Sequence, residues 1–179
     1  AYDRMWPFEF GIATEIFGWA RPEIIDAVWY DFLVAGPDAP IRTIGGMTMQ
    51  PDHGYNAVSS ADTVIIPAWR DVNECPPEPM LEAVRGARKN GARMVSFCTG
   101  AYVLAHAGIL DGRRATTHWR DLGQLKRQFP KIETVEDVLY VDDGDVITSA
   151  GASGGVDCSL HIIRKDYGAE SGRAWCRGS

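Results

Sequence analysis

No stretch of the 179 residues approaches the run of about 20 apolar side chains that a bilayer-spanning helix requires. Cysteine is sparse and scattered. Cys75, Cys98, Cys158 and Cys176 show neither the close paired spacing of a zinc site nor the density of a disulfide scaffold. Free thiols of this kind point to a reducing cytoplasm, and nothing in the sequence signals a metal or an organic cofactor. Positive charge is also short: 18 Lys and Arg stand against 24 Asp and Glu, a formal net charge of −6. An acidic surface repels a phosphate backbone, which argues against nucleic-acid binding by this segment alone. Repeats, low-complexity tracts, linkers and a secretory leader are missing as well. Residues 1–179 are therefore expected to form one domain, with a core drawn from the 45% of side chains that are hydrophobic.

Short apolar strands alternate with helical patterns. Asp62 to Ile66 is a β-branched run closed by Pro67, and Arg93 to Phe97 is a second buried strand. Between them, Pro77 to Lys89 carries Met80, Leu81, Val84 and Ala87 at helical spacing and stops at Asn90-Gly91. Further helices are expected over Phe8–Trp19, Gly100–Ala107, Trp119–Phe129 and Ser153–Lys165. Asp143-Gly144 marks a hairpin between Val138–Val141 and Asp145–Ser149. Alternating strands and helices predict an α/β three-layer sandwich with a mostly parallel central sheet. Such a domain ordinarily has a buried strand before its first helix. The few residues ahead of Phe8, and the polar close at Arg177-Gly178-Ser179, read as cut ends.

The chemistry centres on Val95-Ser96-Phe97-Cys98-Thr99-Gly100-Ala101, which follows a strand and opens a helix. A nucleophile placed there sits on a tight, strained turn, and Gly100 lets the chain pass a neighbour without a side-chain clash. The N–H groups after Cys98 form a helix start, which favours negative charge on sulfur. On this reading Cys98 is expected to be the most readily alkylated of the four cysteines. The plainer alternative is a buried structural cysteine.

Phe97 to Ala105, followed by Gly108-Ile109-Leu110-Asp111-Gly112-Arg113-Arg114-Ala115-Thr116-Thr117-His118-Trp119, resembles one branch of the PfpI-type, class I glutamine amidotransferase-like superfamily. That branch holds the N-terminal domains of AraC-type transcriptional regulators and the isocyanide hydratases. Supporting matches are Pro7-Phe8-Glu9-Phe10, Glu15-Ile16-Phe17-Gly18, Ala61 to Pro67, Thr148-Ser149-Ala150-Gly151 and Asp166 to Glu170. The resemblance implies a flavodoxin-like fold and three site residues. Cys98 matches the elbow cysteine, and Glu9 the acid that hydrogen-bonds it from the first helix. His118 matches a histidine found near the cysteine in several relatives. His53, His106 and His161 fit no partner pattern and read as structural.

This sequence departs from that pattern in three places. Thr99 stands where peptidase-like relatives carry histidine. Pro67-Ala68-Trp69 replaces the Pro-Gly-Gly or Pro-Gly whose N–H groups face the cysteine. Backbone donors from Ala68 or Trp69 remain available for an oxyanion, while the Trp69 indole either lines the pocket or packs. Glu9 is one methylene longer than the Asp that the hydratases favour. Ala68, Trp69, Thr99 and Gly100 are thus the expected ligand-binding positions around Cys98. Three readings follow from the resemblance. The domain is the sensor of an AraC-type regulator that reaches DNA only through a C-terminal helix-turn-helix region beyond these residues. Alternatively, it is a hydratase or hydrolase in which Cys98 attacks and Glu9 moves the proton. The third is an electrophile or redox sensor without turnover. The resemblance also implies a homodimer and an unidentified small-molecule ligand.

Overall fold

The structure is a computed structural model that describes residues 1–20, 22 and 28–168. Four strands form the central sheet: β1 (Thr63–Ile66), β2 (Arg93–Phe97), β3 (Tyr140–Asp142) and β4 (Val146–Ser149). Their order is β1-β2-β4-β3. β1, β2 and β4 run parallel, and β3 returns antiparallel beside β4 through the Asp143-Gly144 turn. Gly144 takes φ +84° there, the left-handed region that glycine enters without a Cβ penalty. β1 and β2 are adjacent and parallel, as their sequences predict. Only β2 is central, however: β1 ends the ladder on one side.

Strand alternation sorts side chains onto two faces. Met94 and Val146 join Val64 and Ile66 in one core with Met80, Leu81 and Val84 of α2 (Glu78–Lys89) and Leu104 of α3 (Ala101–His106). Val95, Phe97 and Ile147 point the other way, onto Ile12 and Ile16 of α1 (Pro7–Phe17) and Ile162 and Ile163 of α5 (Ser153–Tyr167). Helices therefore cover both faces, which is the expected three-layer sandwich. Strands buried on both sides carry continuous apolar runs, and this is why Arg93–Phe97 reads as a strand without alternation.

The remaining helix, α4 (Leu122–Gln128), is shorter than its amphipathic pattern. Asp121 N–H bonds the His118 carbonyl, so His118 to Asp121 turns before the helix begins. Three ladders of two residues per strand escaped sequence reasoning. Ala35–Gly36 pairs with His53–Gly54, Ile41–Arg42 with Thr48–Met49, and Arg114–Ala115 with Glu133–Thr134. No helix among the described residues is long and apolar enough to cross a membrane. Ala169, Glu170 and Cys176 lie outside the described residues.

Candidate functional site

β2 delivers Cys98 to the carboxyl edge of the sheet. Cys98 adopts φ +54°, a region costly for a residue with a Cβ, and opens a single 3-10 turn, Cys98–Gly100, ahead of α3. The turn is held on both sides. Thr117 Oγ1 donates to the Cys98 carbonyl at 2.9 Å, and Thr99 Oγ1 donates to the Trp69 carbonyl at 2.7 Å. Gly100 is required by close approach. A Cβ there would lie 2.4 Å from the Ile66 carbonyl oxygen and 2.5 Å from that of Pro67. The turn between β2 and α3 thus carries a positive φ at Cys98 and is clamped by two buried threonines.

The electrostatics correct one expectation. Burial first, and the Glu9 carboxylate second, push the Cys98 thiol up to about 11. The Thr99 N–H and hydroxyl pull the other way, and Asp121 adds another rise. The helix start does favour the thiolate, but desolvation and a neighbouring anion outweigh it. Cys98 therefore keeps its proton at neutral pH. With 8% of its surface exposed, it is also less accessible than the exposed Cys75.

Glu9, in the first turn of α1, is buried and acts on Cys98 through charge. Among the described residues, no hydrogen bond joins the two side chains. His118 is brought near the sulfur as well. The two meet over Gly151, where a Cβ would lie 2.9 Å from Cys98 Sγ and 2.9 Å from His118 Cδ2. Arg120 N–H donates to His118 Nδ1 at 3.3 Å, which leaves the proton of the neutral ring on Nε2. The Asp121 carboxylate lies 3.6 Å from Nδ1. Asp121 and Gly151 are the members of this cluster that sequence reasoning missed as site residues. The available signal was the spacing His118-x-x-Asp121 within one turn.

The ligand-binding positions divide. The Trp69 indole is a packing group. It is 1% exposed, donates to the Glu74 carbonyl at 2.9 Å, meets Tyr2 edge-on and carries the Arg70 guanidinium on its face. Tyr2 Oη donates to the Pro67 and Ala68 carbonyls, both at 2.7 Å, which fixes that loop. The Ala68 and Trp69 N–H groups have no acceptor among the described hydrogen bonds. Thr99 and Gly100 belong to the elbow itself. The other histidines sit elsewhere: His161 pairs with Asp142 at 2.6 Å, and His106 meets Phe129 edge-on. No group of three or more potential metal ligands occurs among the described residues.

The pattern of the DJ-1/PfpI family matches residues 23–165. The HTH-type transcriptional regulator CdhR of Pseudomonas aeruginosa is 27% identical over 138 residues, which cover 77% of this chain and 41% of that protein. The isonitrile hydratase of Pseudomonas putida is 28% identical over 155 residues, covering 79% of this chain and 66% of the hydratase. Among solved structures, an AraC family transcriptional regulator from Pseudomonas putida superimposes with a TM-score of 0.81 at 16% identity, covering 99% of this chain and 95% of that one. The chain spans about two fifths of the length of CdhR and a third of GbdR, a second regulator from Pseudomonas aeruginosa.

Proposed function

The chain belongs to the DJ-1/PfpI family, and on that premise we propose that it is the ligand-sensing domain of an AraC-type transcriptional regulator, with Cys98 at the floor of the ligand site. The observation that carries the reading is the similarity to several curated HTH-type regulators, of which this chain matches less than half the length. A domain of that extent senses, while a separate region contacts DNA. The site chemistry supports it. A buried thiol that holds its proton at neutral pH is a poor nucleophile and a good lining for a small ligand. On this reading Glu9 and His118 flank the ligand, and the Ala68 and Trp69 N–H groups offer it hydrogen bonds. The regulator acts in the cytoplasm as a homodimer. The test is a thermal-shift screen of small metabolites on the unmodified domain and on Gly151→Val. A hit whose shift disappears when the valine side chain crowds Cys98 and His118 supports the site. A hit unaffected by Gly151→Val places binding elsewhere.

The similarity to isonitrile hydratase favours a second reading over a comparable share of the chain. Here the Glu9 carboxylate takes the Cys98 proton as sulfur attacks an electrophilic carbon. Turnover that Cys98→Ser abolishes would select it.

A further inference from the structure

β1 ends at Ile66, and the two carbonyls that follow depart from strand geometry. Along extended backbone, successive C=O groups point to opposite sides. Those of Pro67 and Ala68 instead converge on one atom, Tyr2 Oη, at 2.7 Å each. The peptide unit is planar and, among the described residues, trans, so its N–H points opposite to its C=O. The Pro67 carbonyl shares a unit with the Ala68 N–H, and the Ala68 carbonyl shares one with the Trp69 N–H. By gripping both carbonyls, Tyr2 turns two successive N–H groups to one side, away from itself. Paired backbone donors of this kind form a concave site for an acceptor.

Neither N–H has an acceptor among the described hydrogen bonds, although Ala68 and Trp69 are each 1% exposed. Buried backbone donors ordinarily find a partner, so the pair is suited to a ligand oxygen. The loop abuts the Cys98 turn. Thr99 Oγ1 holds the Trp69 carbonyl at 2.7 Å, and Gly100 lies against the Ile66 and Pro67 carbonyls. Tyr2 is itself anchored. Its ring meets the Trp69 indole edge-on at 4.8 Å. Its neighbours are tied by Arg70 Nη1 donating to the Asp3 carbonyl at 2.8 Å and by Arg4 N–H donating to the Arg42 carbonyl at 2.7 Å. Burial first, then the charges of Glu9 and Cys98, raise the Tyr2 hydroxyl well above its ordinary value, so it stays a donor.

We propose, on the reading that Cys98 floors the ligand site, that Tyr2 is a positioning residue: its hydroxyl aims the Ala68 and Trp69 N–H groups at the oxygen of a carbonyl group bound over Cys98. Glu9 and Asp121 already set negative charge near the sulfur, so an uncharged carbonyl suits the pair better than a carboxylate.

The test separates an attack that places charge on oxygen from one that does not. With para-nitrophenyl acetate, sulfur adds to the carbonyl carbon and the carbonyl oxygen takes the negative charge. The C=O then re-forms as para-nitrophenolate leaves. Iodoacetamide alkylates sulfur by displacing iodide, with no charge on oxygen. In both reactions the thiol proton passes to the buffer. Both rates at Cys98 are followed at one alkaline pH by mass spectrometry of the Cys98 peptide, so their ratio is independent of the thiolate fraction. Removing an oxyanion donor typically costs about 10²–10³ in rate; Tyr2→Phe is expected to slow acylation at least about tenfold and to leave alkylation within about twofold. The analogue para-aminophenylalanine in place of Tyr2 supplies one N–H to each carbonyl. It is expected to bring acylation back to within about threefold of the unmodified chain. Unchanged acylation in Tyr2→Phe, equal slowing of both reactions, or failure of the analogue to rescue overturns the proposal. So does an unmodified Cys98 that iodoacetamide alkylates and the ester does not acylate. If Tyr2→Phe does not fold, the analogue decides. Acylation near the unmodified rate supports the proposal, and acylation lost while alkylation persists overturns it. The thermal-shift screen with Gly151→Val judges the ligand site separately, so failure of one result is distinguishable from failure of the other.

Discussion

Cys98 and Gly100 carry the elbow for different reasons. Cys98 endures a positive φ so that its sulfur faces Gly151 and His118, while Gly100 gives way to two carbonyl oxygens. Gly100→Ala would press a Cβ into backbone that cannot swing aside, and is expected to cost about 3 kcal/mol in urea unfolding. Gly86→Ala is the control. It lies within α2 with nothing within 4 Å of the added Cβ, and should stabilise by about 0.5–1 kcal/mol. The thiol gives a second test. Iodoacetamide should modify exposed Cys75 before Cys98 and Cys158 at pH 7, and the Cys98 rate should climb only as pH approaches about 11. Glu9→Gln removes the neighbouring anion and should move that climb to lower pH. A Cys98 rate already at its plateau by pH 7 contradicts this electrostatic account.

At the scale of elements, the β3–β4 hairpin is tied to α5 by one carboxylate. Asp142 accepts from His161 at 2.6 Å and from Lys165 Nζ at 2.8 Å. Burial alone would raise its pKa; these two partners and the Gly144 N–H hold it below the ordinary value instead. A carboxyl lowered in the folded state adds stability above its unfolded pKa of about 3.9, and that stability fades as pH falls through the folded value. Asp142→Asn should therefore be less stable than the unmodified chain at pH 7, with the gap narrowing below about pH 4 in acid-unfolding curves. An equal gap at pH 2 and pH 7 would mean that packing, not charge, ties the hairpin down. This pairing was invisible in sequence, since residues 142, 161 and 165 meet only once the sheet and α5 are packed. The hairpin was legible, because Asp143-Gly144 fixes its own turn.

For the whole molecule, the three-layer architecture and the tight turn after β2 were legible because each rests on local chemistry. Runs such as Thr63–Ile66 and Met94–Phe97 are apolar on both faces, and Gly100 follows Cys98 at the spacing a tight turn demands. The thiol's proton affinity was not legible. It depends on burial against the Gly151 loop, and on a carboxylate 89 positions away in sequence, by the difference between 98 and 9. Trp69 resisted sequence reasoning for a like reason: Tyr2, which meets it edge-on, precedes α1 in the chain, and only the fold brings it onto the loop where Arg70 and Glu74 hold the indole. With a net charge of −6, residues 1–179 alone should give no sequence-specific shift of duplex DNA at physiological salt in an anisotropy titration. The most direct test of the sensing account is a turnover assay. The domain is incubated at pH 7 with an aryl isonitrile in large excess, and formamide is quantified beside Cys98→Ser. Equal background in both is the result predicted for a site that binds with a protonated thiol. Many formamide molecules per chain, abolished by Cys98→Ser, would contradict it and make the domain an enzyme.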